Sequence, residues 1–179
     1  IWDFASDENP DIILASAGDY PTKEVLAAIT ILKEDAPEIK IRFVNILELS
    51  AMGIGYSQKQ MSDPVFDGYF TKDKPVIINF HGYPETMKQF LFNEKDSAGR
   101  FSVHGYLENG STTTPFDMQV RNETSRFHIA KEALATLSNN GVIAAEKANN
   151  IIEKYDKLLS EHLAYIKETG DDPKYISKW

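Results

Sequence analysis

The sequence predicts a three-layer α/β/α domain followed by a helical tail. Three observations carry this. Short apolar runs of strand length alternate with amphipathic helical stretches. The chain opens with a strand–helix–strand pattern, which favours parallel pairing. After position 112 the pattern is helical only.

Residues 1–10 are polar and end in Asn9-Pro10, which reads as a linker; Trp2 and Phe4 are its docking candidates, onto this domain or a neighbouring one. Asp11 to Ala17 (DIILASA) is a buried strand bounded by turn residues. Gly18-Asp19-Tyr20-Pro21 turns the chain into a helix over Thr22 to Asp35, with Val25, Leu26, Ile29 and Leu32 on one face, and Ala36-Pro37 ends it. Ile39 to Leu47 is a second strand. Ala51 to Tyr56 carries two glycines without a GxGxxG pattern, a weak candidate for a phosphate loop. Ser62-Asp63-Pro64 caps a short helix over Val65 to Phe70.

Val76 to Phe80 is the clearest strand, stopped by His81-Gly82-Tyr83-Pro84. A helix over Glu85 to Phe92 follows, then a polar turn over Asn93 to Arg100. Phe101 to Leu107 alternates, with Ser102, His104 and Tyr106 on a polar face, as in a strand that lies at an edge or borders a site. Glu108 to Ser111 is a turn. Thr114-Pro115-Phe116-Asp117 has the spacing of a capping box with Pro at the first helical position. Helices follow over Asp117 to Asn122, Glu123 to Ser138 and Ala144 to Lys167, the last ended by Gly170. Tyr175, Ile176 and Trp179 suggest a docked tail. One internal echo stands out: His81-Gly82-Tyr83 and His104-Gly105-Tyr106.

A chain of 179 residues with 42% hydrophobic and 26% charged residues suits one domain with a sizeable core. The net charge is −8, and residues 1–38 hold nine carboxylates against Lys23 and Lys33. Such a face repels nucleic acid and anionic lipid, so neither is an expected partner. There is no membrane-length apolar run and no basic leader, and the absence of cysteine rules out disulfides and thiolate chemistry. These features fit a cytoplasmic protein. The start at Ile1 without Met suggests a piece of something longer.

Few residues invite chemistry. Zinc lacks ligands at suitable spacing, and no GxSxG elbow or Walker loop occurs. His162 lies on a helical stripe and His128 near a helix start beside Phe127, and both read as packed side chains. His81 follows a parallel-type strand, where α/β proteins bind ligands, and His104 shares a face with Ser102 and Tyr106. Thr112, Thr113, Thr114, Arg121 and Arg126 are suitable groups for an anion; the same residues also read as a helix cap with surface ion pairs.

The stretch between Phe101 and His128 carries a resemblance. HGYLENGSTTTPFDMQVRN is similar to a signature near the C-terminus of phosphoketolases, and WDFAS...NPDIILASAGDYPTKEVLAAI and KPVIINFHGYP resemble the same domain in the same order. The resemblance covers essentially the whole chain. It implies a parent enzyme that uses thiamine diphosphate to cleave xylulose 5-phosphate, or fructose 6-phosphate, with phosphate to give acetyl phosphate. It also implies a domain like the C-terminal domain of transketolases: a mostly parallel, mixed sheet of about five strands within residues 11–179. In that family the cofactor, Mg²⁺ and catalytic histidines belong to two preceding domains at a dimer interface. No GDG with the asparagine spacing of a thiamine diphosphate site occurs here.

The resulting expectation is a structural, interfacial or regulatory domain with no catalytic, cofactor-binding or metal-binding residue of its own. Its partners would be the preceding domains and the homodimer mate. His81, His104, Thr112, Thr113, Thr114, Asp117, Arg121 and Arg126 are the candidate interface or anion-binding residues, with His104 and Thr112 to Asp117 facing the rest of the enzyme. Two rivals remain: a free-standing α/β domain that binds a phosphorylated metabolite, and a small enzyme with His81 or His104 as general base.

Overall fold

β1 (Ile12–Ala17) is the centre of the sheet, and all six of its residues are buried. An unbroken apolar strand of this kind needs cover on both faces, which is what a parallel sheet supplies. β1 pairs in parallel with β2 (Ile41–Asn45) and β3 (Val76–Phe80), and β3 pairs in parallel with β4 (Phe101–His104). The order is β2-β1-β3-β4. The computed structural model describes residues 1–52, 60–92, 99–109 and 112–177. The glycine pair at 53 and 55, most of the turn over 93–100, the turn residues 110 and 111, and Trp179 lie outside the described residues.

Three layers form as the alternation requires. Ile12 and Leu14 of β1, with Ile41, Phe43 and Ile77, face a cluster built by α1 (Asp19–Asp35), α5 (Arg126–Asn139) and α6 (Ala145–Thr169). Ile13, Ala15 and Ala17, with Val44, Val76 and Ile78, face α2 (Asp63–Phe70) and α3 (Pro84–Leu91). The expectation of about five strands in a mixed sheet is corrected. The described residues form four strands, all parallel, because after His104 every regular element is helical: α4 (Pro115–Arg121), α5, α6 and α7 (Lys174–Ser177).

Element ends moved for identifiable reasons. α1 starts at Asp19, three residues early, because Pro21 falls in the first turn, where no amide bond is lost. α5 starts at Arg126, three residues late, because Glu123 has φ +57° and breaks the helical path. One half of the capping box forms, with Thr114 Oγ1 accepting from the Asp117 amide at 3.3 Å, while the Asp117 carboxylate accepts from Thr113 and Arg121. α6 ends at Gly170 in the left-handed region at φ +72°. Residues 1–10, expected as a linker, lie along the outer edge of β2. Ala5 is buried in the core, the Asp7 amide donates to Ile41 O at 2.7 Å, and the Phe43 amide donates to Ser6 Oγ at 3.0 Å. Ile176 of the tail is buried as expected. No helix among the described residues is long and apolar enough to cross a membrane.

Candidate functional site

The two HGY segments meet at the carboxyl end of the sheet. β3 and β4 run in parallel with Asn79 opposite His104, so the second motif is offset and its glycine lands on the first. A Cβ on Gly105 would lie 2.2 Å from Gly82 O, so only glycine permits the approach. The Tyr106 amide then donates to Gly82 O at 2.9 Å. This brings the Tyr106 ring within 5.7 Å of the His81 ring and 6.2 Å of the Tyr83 ring. The Tyr83 hydroxyl donates to Glu108, and that bond and the carboxylate's charge raise the phenol pKa above its usual range. His81 is exposed, and its Cβ rests on Gly18, where a side chain of any size would collide at 2.5 Å.

Beneath this surface the carboxyl ends of all four strands carry a polar row. Asn45, Ser16, Asn79 and His104 stand opposite one another across the sheet, on the face of α1 and α5. Ser16 Oγ and Thr22 Oγ1 are 2.9 Å apart, and Asn79 Nδ2 donates to Thr124 O at 2.9 Å. His104 Nε2 bonds Glu132 on α5 and lies 3.3 Å from Ser102 Oγ. Burial pushes the Glu132 pKa up, but the His104 bond, its charge and Ser102 together outweigh this and hold it below the usual value.

The threonine run is bonded within the domain. Thr113 Oγ1 donates to Asp117 Oδ2 at 2.7 Å, and Arg121 Nε donates to the same oxygen at 2.6 Å. Thr114 Oγ1 donates to Asp172 Oδ1 at 2.6 Å, and the Phe116 amide donates to Asp172 Oδ2 at 2.9 Å. His162 Nε2 lies 3.1 Å from the same carboxylate, and its ring packs edge-on to Phe116 at 4.9 Å, the packed histidine that the helical stripe predicts. Thr112 and Arg121 are exposed. Arg126 is buried instead, and Glu24 of α1 takes its guanidinium at 2.8 and 3.0 Å.

The candidates therefore divide among separate networks. Thr113, Thr114, Asp117 and Arg121 come together, and Thr114 also joins the C-terminal tail; His104 joins α5, His81 joins Tyr106, and Arg126 joins α1. Glu132, Asp172 and Glu24 are the partners that reading the sequence missed. The signals visible beforehand were the HGY echo, the place of His81 after a parallel-type strand, and the polar face shared by Ser102 and His104.

A family model described as the XFP C-terminal domain matches residues 1–179. The chain belongs to that family. A probable phosphoketolase of Pediococcus pentosaceus is 40% identical over 183 residues, covering 100% of this chain and 22% of that protein. One of Clostridium acetobutylicum is 38% identical with the same coverage. The xylulose-5-phosphate phosphoketolase of Lactiplantibacillus pentosus is 40% identical over 186 residues, again covering 100% of this chain and 22% of that protein. The chain thus spans about a fifth of the length of these curated relatives. In this XFP C-terminal domain, the stretch that carried the resemblance builds β4, α4 and the start of α5.

Proposed function

We propose that this chain is the C-terminal domain of a thiamine diphosphate-dependent phosphoketolase, in which it supports and joins the catalytic parts and is not itself the catalytic centre. The observation that carries the reading is similarity to proteins named phosphoketolases along the whole chain. On this reading the parent enzyme, a carbon–carbon lyase of the cytoplasm, cleaves xylulose 5-phosphate or fructose 6-phosphate with phosphate. The preceding domains and a homodimer mate are its partners.

The supporting role has its own basis. Most of the polar groups that the sequence singles out are tied to structural partners: Arg126 to Glu24, Asp117 to Arg121, Thr114 to Asp172. Thiamine diphosphate needs a divalent cation on its diphosphate. On this reading that cation and the cofactor belong to the preceding domains, and no step of the reaction is assigned to this chain. Its exposed cluster of His81, Tyr83 and Tyr106 is proposed as interface, together with Thr112 and Arg121.

The test is acetyl phosphate formation from either sugar phosphate with phosphate, thiamine diphosphate and Mg²⁺. The full-length protein turns over, the 179-residue chain alone is silent, and adding the chain to the separately expressed remainder raises that remainder's activity. Turnover by the chain alone overturns the supporting role. A silent full-length protein overturns the phosphoketolase reading.

A further inference from the structure

Next to the site, at the carboxyl ends of β1 and β2, apolar side chains point into solvent. Leu47 is 89% exposed and Phe4 75%, and Ile1, Trp2 and Tyr69 are exposed beside them. Single exposed apolar residues are ordinary, but these are contiguous. Ile1, Trp2, Leu47 and Tyr69 line one depression, and Trp2 and Leu47 also line the next, over the start of α1. Phe4 stacks against Trp2 at 5.7 Å. The surface is also held in place. Trp2 packs edge-on to the buried Phe43 at 5.2 Å, and Ser6 and Asp7 pin the segment to β2. A fixed apolar surface binds with little ordering cost.

We propose that this surface docks the part of the parent polypeptide that precedes Ile1. The inference rests on the phosphoketolase reading above. The relatives are matched over only 22% of their length, and the family is a C-terminal domain, so the greater part of such a protein precedes this one. Ile1 itself lines the depression, so the preceding chain leaves from the surface and is held at high effective concentration beside it. The rim is of mixed charge, with exposed Asp3 and Asp19 beside the half-buried Lys23. A neighbouring domain with an apolar face is complementary to the surface.

The chain has no cysteine, which gives a direct test. Leu47→Cys is made in the 179-residue chain and in the full-length protein freed of other cysteines, and its reaction with a maleimide is timed. Lys157→Cys, on a side chain 78% exposed on α6, is the control. Both thiols react at similar rates in the short chain. In the full-length protein Leu47→Cys slows by about tenfold or more, while Lys157→Cys is unchanged. Equal rates for Leu47→Cys in both proteins overturn the proposal, and so does slow reaction already in the short chain. Protection lost on dilution to monomer assigns the surface to a second copy and also overturns it. Acetyl phosphate formation by the same full-length protein separates the two readings. Activity with an unprotected Leu47→Cys sinks the docking surface alone, and protection without activity sinks the phosphoketolase reading.

Discussion

One carboxylate, Glu24, accepts three N–H groups from a single residue 102 positions away: the Arg126 amide at 2.9 Å, Nε at 3.0 Å and Nη2 at 2.8 Å. The amide is the first of α5, so the carboxylate also caps that helix and meets its positive end. Both side chains are buried, and the guanidinium lies 5.3 Å over the Phe116 ring. Removing one member of such a pair strands a charge, so Arg126→Met should cost about 3–5 kcal/mol in urea unfolding. A double variant, Glu24→Leu with Arg126→Met, should cost clearly less than the sum of the two singles while still losing the cap. Strict additivity would show that the two residues do not act as a pair. Sequence reading made Arg126 an anion candidate, since a guanidinium near a helix start suits that role. Nothing within its local window announces Glu24, because the packing of α5 on α1 decides the pairing.

The elements themselves were legible, because periodicity, Pro, Gly and caps act locally. Pro37, Gly170 and Thr114 each mark the boundary they were read to mark. What was not legible depended on contact between elements. The HGY echo was visible as a repeat, but the meeting of Gly82 and Gly105 follows from the register of β3 on β4. The partner of Thr114, Asp172, sits on the tail, 58 positions away. The glycine contact yields a prediction with an internal control. Gly105→Ala forces a methyl against Gly82 O, so it should destabilise by about 1–3 kcal/mol and speed hydrogen exchange at the Tyr106 amide. Gly68→Ala lies within α2 with nothing within 4 Å of the added methyl, so it should stabilise by about 0.5–1 kcal/mol. The same sign for both in thermal unfolding would remove the steric account of the HGY junction.

At the scale of the molecule, the acidic N-terminal stretch, residues 1–38, is tied into the fold. Asp7 and Asp11 accept the amides of Ile41 and Lys40, and Glu24 holds Arg126. Asp35 accepts from Lys154 and Tyr155, and Glu38 accepts from Lys147, so α6 covers the end of α1 with cations. These couplings predict a two-stage loss of stability with acid. Burial and Lys131, with His104, lower the pKa of His128 from its ordinary 6.5, against Glu123 and Asp156. The unfolded chain then takes this proton more readily than the folded one, so stability falls as pH drops below 6.5 towards the lowered value. Glu38, bonded by Lys147, and Glu132, bonded by His104, sit below the ordinary 4.5. The stability they contribute is present above 4.5 and is lost as pH falls through their lowered values. The urea midpoint should therefore hold steady above about pH 6.5, decline gently below it, and drop more steeply below about 4.5. In His128→Asn, whose amide oxygen can replace the ring nitrogen beside Ser125 Oγ, the gentle stage should vanish and the steep one remain. A wild-type midpoint that stays flat between pH 6.5 and 4.5, or a gentle decline that survives the substitution, would remove His128 from the account and leave the carboxylates to explain acid sensitivity alone.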